Sequence, residues 1–129
     1  SSSILPILNL HTEAAISSEY IGVEKTPIVT LDSVSKKYLD NFSNCFIKID
    51  TQGYESQVLD GASQTLKIAK GVLCELTLVP LYQGQDLWTD LILRLEKEGF
   101  VLWSIERGFT DSRDGRTLQV DGLFLKLDN

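Results

Sequence analysis

The 129-residue chain contains no methionine and opens SSSILPI, so it reads as a piece of a longer protein or as a processed one. Histidine occurs once, as His11, and cysteine twice, as Cys45 and Cys74. One imidazole and two isolated thiols argue against a zinc site. His11 lies in a poorly patterned stretch, and no serine–histidine–acid arrangement can be built around it. No two glycines are separated by one residue, and no glycine precedes a lysine. That excludes the G-x-G nucleotide loop and the P-loop, whose backbones cradle phosphates. No apolar run approaches the ~18 residues of a membrane span, and no cleavable signal pattern is present. Positive charge is scarce, with 12 Lys and Arg against 18 Asp and Glu, for a net −6. An acidic chain lacks the basic face on which nucleic-acid binding depends, so neither nucleic acid nor membrane is expected as a partner.

What is present suits one folded domain, since 43% of the residues are hydrophobic. Residues 1–27 carry breakers at Pro6 and Pro27 and only weak periodicity, so they read as an extended or irregular N-terminal arm. Residues 28–129 read as the α/β domain proper. Ile28–Leu31 is β-branched and predicts a short strand. Asp32 reads as the cap of a helix ending near Asn41, with Val34 and Tyr38 on one face. Phe46–Ile49 is the next apolar strand. Val58, Ala62, Leu66 and Ala69 then recur near the helical period, with Gly61 splitting the run and Gly71 as C-terminal cap.

Gly71–Val79 predicts a central strand with both faces covered by helices, because almost every residue in it is apolar. Asp86 reads as the cap of a third helix, whose buried stripe is Leu87, Leu91 and Leu95 and which Gly99 closes. Phe100–Ile105 and Leu118–Leu127 read as an antiparallel pair joined across the Asp114-Gly115 turn. Helical crossovers make parallel neighbours. The fold class is therefore an α/β sheet, parallel for three strands and finished by one antiparallel strand. Cys45 and Cys74 sit in apolar strand-like runs and read as reduced core thiols, which suits the cytoplasm; a disulfide or redox pair is the alternative.

In open α/β sheets, ligands bind beyond the carboxyl ends of the parallel strands. In FIKIDTQGYE, Asp50 stands at such an end, followed by Gln52, Tyr54 and Glu55. A carboxylate there can accept a proton, bind a metal or fix a hydroxyl, or it can simply cap the next helix. Glu75 lies inside the apolar run GVLCELTLV, and Tyr82 and Gln85 lie in that strand's exit loop. An unpaired carboxylate inside a strand costs several kcal/mol or shifts its pKa upward. Glu75 therefore either has a structural partner, such as a backbone N–H or Lys48, or faces a cleft.

The runs FIKIDTQGYESQVLDGA, CELTLVPLYQGQ and EGFVLWSIERGFTDSRDGRTLQVDGLFLK resemble the FkbM-type methyltransferases, as does the lead-in IVTLDSV. The likeness extends from about Ser1 to Lys126. It rests on K-I-D-x-x-G-x-E at 48–55, L-x-G-A at 59–62 and E-L-x-L-x-P-L-Y at 75–82. It implies a partial Rossmann-like methyltransferase sheet, mainly parallel with one antiparallel strand, flanked by helices, in the order 4-5-7-6. It also implies an S-adenosylmethionine-dependent O-methyltransferase of which this chain is the C-terminal half.

The family's glycine-rich loop and its ribose-binding acid belong to the other half. The cofactor is thus expected in the full-length enzyme and not in this chain alone, which should be inactive by itself. Asp50 is the implied catalytic residue, orienting the acceptor or the donor's sulfonium. Gln52, Tyr54, Glu55, Glu75 and Tyr82 are the implied residues for a small-molecule hydroxyl acceptor, of the kind found on sugars and polyketides. Cut this way, strand 46–50 becomes an exposed apolar edge, and a homo-oligomer joined there or through the N-terminal arm is expected. Two other readings compete: a non-catalytic α/β binding or assembly module, and a hydrolase or metal enzyme in which Asp50 and Glu75 hold Mg²⁺.

Overall fold

The computed structural model describes residues 2–39 and 44–127. Its sheet contains β1 (Cys45–Ile49), β2 (Ala69–Thr77), β3 (Phe100–Arg107) and β4 (Gln119–Lys126), in the spatial order β1-β2-β4-β3. β1 and β2 are parallel, and β4 runs antiparallel to both β2 and β3. β3 therefore points the same way as β1 and β2, with β4 inserted against them. The chain crosses from β1 to β2 through α3 (Glu55–Asp60) and α4 (Ser63–Ile68), and from β2 to β3 through α5 (Trp88–Lys97). A parallel step needs such a crossover, whereas the β3–β4 step is a hairpin. The mixed α/β sheet and its strand order agree with the methyltransferase-like expectation.

Register decides what each face carries. Ile47 pairs with Val72 and Ile49 with Cys74, while Val72 and Leu76 lie opposite Phe124 and Val120. Against this face pack Leu59, Ala62 and Leu66 of α3 and α4, and Leu91 and Leu95 of α5, in one buried cluster. Fully burying such a side chain contributes about 1.5–3 kcal/mol, so this layer holds the domain together. The opposite face carries Phe46, Lys48, Leu73, Glu75, Asp121 and Leu123. There Phe46 stays 56% exposed. The double cover expected over β2 is therefore not found among the described residues, because the cluster's helices all pack on one side.

Several local expectations are corrected. Residues 28–31 form no strand: Ile28 and Val29 are exposed, and Leu31 opens α2 (Leu31–Ser35). Thr30 is the cap of α2, accepting from Ser33 N at 3.2 Å. α2 ends at Ser35, short of the expected Asn41, which itself lies outside the described residues. Asp32 caps α4 instead, a helix thirty residues away in sequence. Gly71 is no helix cap, because α4 gives way directly to β2; Gly71 lies within the strand, where a side chain would collide with the Phe46 ring. Asp86 makes no cap either. Leu87 holds that position, and its N–H donates to Asp90 Oδ2 at 3.3 Å. Gly61 does divide α3 from α4, and Gly99, with φ +86°, does end α5.

The first 27 residues are more than an arm. Asn9–Ala14 forms α1, and Leu5, Ile7, Leu10 and Ala14 pack on a second buried cluster of Leu81, Tyr82 and Leu118. Ile7 bridges to Tyr82, and Leu8 N donates to Leu81 O at 2.9 Å. Residues 21–30, by contrast, are exposed and irregular. Both thiols are buried and free. Cys45 lies opposite Ala69, five residues back along β2 from Cys74. At about 3.3 Å per residue the pair stands roughly 16 Å apart, far beyond the ~7 Å that a disulfide allows.

Candidate functional site at the strand tips

The carboxyl end of β1 leads into Thr51–Tyr54, a turn that reverses the chain into α3. Glu55 sets this turn. Its Oε1 accepts from Thr51 N at 3.0 Å, Gly53 N at 3.2 Å and Thr51 Oγ1 at 3.2 Å. Glu55 is 2% exposed, so its charge is solvated by the loop's own donors. Gln52 takes the left-handed conformation at φ +54°, followed by Gly53 at +96°. A non-glycine residue there costs about 1–2 kcal/mol, which the surrounding bonds must offset. Gly53 has a second reason to be glycine: a Cβ would stand 3.0 Å from the Tyr82 ring.

The strained turn aims the Gln52 amide at two acids. Gln52 Nε2 donates to Asp50 Oδ1 at 2.8 Å and to Glu75 Oε2 at 3.3 Å. Gln52 Oε1 accepts from the buried Tyr82 hydroxyl at 2.9 Å. Tyr82 is held in turn by Gln85, whose Oε1 accepts from Leu81 N and Tyr82 N, both at 2.7 Å. Gln85 Nε2 is buried with no partner among the described residues. Asp50, Gln52, Glu75 and Tyr82 are thus brought together at the ends of β1 and β2. Tyr54 stands beside them at the start of α3, half-buried, without capping it through its side chain.

The electrostatics are lopsided. Burial, then the nearby charges of Asp50, Glu55 and Asp121, push Glu75 up to about 7, against a hydrogen bond from Gln119. Asp121 faces Glu75 across the β2–β4 ladder. Lys48, 3.6 Å from Asp50, is the nearby cation, and that pair is 67% and 43% exposed. The expected structural partners of Glu75, a backbone N–H or Lys48, give way to the side-chain amides of Gln52 and Gln119. Asp50 does not cap α3. Between the two acids sits an amide N–H, not a place for a cation, and no group of three potential ligands among the described residues could hold a metal.

Sequence reasoning missed His11, Ser18, Gln119 and Asp121. His11 is 5% exposed, with Nε2 3.1 Å from the Tyr82 hydroxyl and Nδ1 2.9 Å from Ser18 Oγ. Nothing in the spacing of residues 1–27 signals this. Asp121 was findable, since an acid in the apolar strand QVDGLFLK raises the same question as Glu75.

No helix among the described residues is long and apolar enough to cross a membrane. Neither a curated protein nor a solved structure matches this chain. The methyltransferase FkbM domain matches residues 2–102, a span that includes the N-terminal segment and both acid-bearing strands and stops inside β3. The match covers most of the 129 residues, and the chain belongs to the FkbM methyltransferase domain family.

Proposed function

We propose that the chain is the acceptor-side, C-terminal part of an S-adenosylmethionine-dependent O-methyltransferase and is inactive alone. The observation that carries this is the meeting of Asp50, Gln52, Glu75 and Tyr82 at the strand tips of a chain in a methyltransferase family. The family implies S-adenosylmethionine as the methyl donor of the whole enzyme. No glycine-rich loop stands in this sequence to cradle it. The surface hollows lined by Asp32, Lys36 and Gln64 and by Leu31, Tyr38 and Phe46 lie against α2, α4 and β1, and neither is lined by Asp50, Gln52, Glu75 or Tyr82.

On this reading Asp50 is the catalytic residue, open to solvent and fixed by Lys48 and Gln52, where it orients a small-molecule hydroxyl. Glu75, with its affinity for a proton raised, accepts that hydroxyl's hydrogen bond. Gln52 and Tyr54 line the acceptor's approach, the buried Tyr82 holds Gln52 from behind, and Glu55 flanks the approach from inside by holding the turn. Holding the reacting groups in line is the main help a displacement of this kind takes from a protein. The free thiols suit a reducing cytoplasm.

Isothermal titration of the chain with S-adenosylmethionine is expected to give no specific binding. Tight binding would show that the donor's cradle is here after all. The positive test is methyl transfer to alcohols by a polypeptide extended with the upstream coding sequence. Asp50→Asn should abolish it; full activity in that variant would remove Asp50 from its assigned role.

One observation favours the alternative, a non-catalytic assembly module. β1 has a neighbour on one side only among the described residues, and Phe46 is exposed beside the open edge. Such an edge pairs readily with another chain. The proposed partner is a second copy joined along 46–50 or through the N-terminal segment, and a monodisperse monomer in light scattering would reject it.

A further inference from the structure

We propose that His11 is a positioning residue for the two strand-tip acids: through Tyr82 it locks the Gln52 amide so that one NH₂ group faces both Asp50 and Glu75. The functional meaning rests on the acceptor-side reading above. The hydrogen bonds have a single allowed direction. An amide nitrogen lies against both carboxylates, at 2.8 and 3.3 Å. Turning the amide over would put its oxygen against the Asp50 carboxylate, an acceptor, and its nitrogen against the Tyr82 hydroxyl. Gln52 Oε1 must then receive the Tyr82 proton, at 2.9 Å. A hydroxyl has one proton to give. The His11 Nε2 contact at 3.1 Å is therefore an N–H donated to the Tyr82 oxygen. That leaves Nδ1 as the acceptor for Ser18 Oγ–H at 2.9 Å. Polarity runs one way, from Ser18 through His11, Tyr82 and Gln52 to the acids.

The ring has little freedom to do otherwise. It is 5% exposed, edge-on to Tyr82 at 5.2 Å and against Phe109 at 5.1 Å between centroids. Burial lowers its pKa, which keeps it neutral and hence able to accept at Nδ1. The same segment grips Gln52 a second time, through Ser3 Oγ–H donated to the Gln52 carbonyl at 2.6 Å. Residues 3–18 thus act on Gln52 from both its backbone and its side chain. A hydroxyl substrate arriving between the acids then meets two acceptors held by one donor.

The test is NMR on the intact chain. Long-range ¹H–¹⁵N spectra should find His11 as the neutral Nε2–H tautomer, and an Nδ1–H tautomer would overturn the proposal. The Gln52 side-chain NH₂ signals should follow the titration of Glu75, which Asp50, Glu55 and Asp121 also face. In His11→Leu that response should be largely lost, and His11→Gln, whose Nε2–H can donate to Tyr82, should restore it. An unchanged response in a folded His11→Leu would sink the idea. Should that variant fail to fold, Tyr82→Phe keeps the ring and removes the relay, and an unchanged Gln52 response there overturns it equally. These readouts need no methyl donor. Correct spectra without transfer by the extended enzyme would condemn the methyltransferase reading alone, and active enzyme with the wrong tautomer would condemn this one alone.

Discussion

Asp32 and Glu75 are both half-buried acids, one beside α4 and one at the far end of β2, and their surroundings drive them in opposite directions. Asp32 receives N–H groups from Gln64 at 3.0 Å and Thr65 at 2.8 Å, and hydroxyls from Thr65 at 2.7 Å and Ser63 at 3.2 Å. Burial raises its pKa, but those donors outweigh burial and carry it down to about 2. Glu75 has the Gln52 amide at 3.3 Å, three acids around it, and a pKa pushed up to about 7. A fold invests donors where a charge must stay put. At Glu75 the amides of Gln52 and Gln119 do not offset burial and the three acids. On the proposed reading, the contrast separates a structural acid from a chemical one more surely than burial does.

The largest effect on stability is expected at the structural end. Asp32→Ala removes the cap of α4 and leaves the buried Thr65 hydroxyl with Ser35 Oγ alone, at 2.9 Å, which should cost about 1–2 kcal/mol in urea unfolding at pH 7. The folded pKa of Asp32 lies below its ordinary 3.8. Its contribution is therefore complete above about pH 4 and fades as pH falls through about 2, where wild type and variant should converge. A variant as stable as wild type would mean that the two ends do not differ in kind.

Gly53→Ala tests the other end through its backbone. The substitution forces an L-residue to φ +96° and presses a methyl group toward the Tyr82 ring. About 1–2 kcal/mol should be lost. The Tyr82–Gln52 hydrogen bond should loosen with it, readable as broadening of the Gln52 side-chain signals.

Glu75→Gln should do the reverse of Asp32→Ala. Native Glu75 holds its proton to about pH 7, whereas the unfolded chain releases it near 4.5. The charged form thus opposes folding at high pH. The opposition is absent below about 4.5, grows between 4.5 and 7, and is complete above 7. Allowing for its partial exposure to solvent, the neutral amide should raise stability by about 1–2 kcal/mol at pH 8 and by nothing at pH 4. A loss of stability at pH 8 would place Glu75 in the same class as Asp32.

The same contrast marks what could be read from residues alone. Strands β1 to β4 were legible because each is a short apolar run that ends in a turn residue. Ile28–Leu31 misled because a β-branched run needs a neighbouring strand to pair with, and Ile28 and Val29 find none and stay 66% exposed. Asp32 was read as a cap from its position beside a helix, and a cap it is. The helix it serves lies across the fold, which spacing cannot show. At the strand tips, Asp50, Gln52, Glu75 and Tyr82 were legible because strand ends gather what the chain places there. His11 was not, because its partner Tyr82 is 71 residues away and no periodicity links them.

The smallest stability effect is expected at Asp50, and it bears most directly on the division drawn here. Its ion pair with Lys48 spans 3.6 Å, with both side chains well exposed. Exposed pairs contribute ~0–1 kcal/mol and weaken further in salt. Asp50→Asn keeps the shape and an acceptor oxygen for Gln52, so unfolding by urea should change by no more than about 0.5 kcal/mol. Methyl transfer by the extended enzyme should nonetheless vanish. On the proposed reading, an acid that the fold hardly needs, at the tip of an edge strand and clasped by a strained glutamine, is placed for a ligand and not for the core. If Asp50→Asn instead unfolds the chain as readily as Asp32→Ala, then Asp50 is one more cap, and the chemistry must be sought on Glu75.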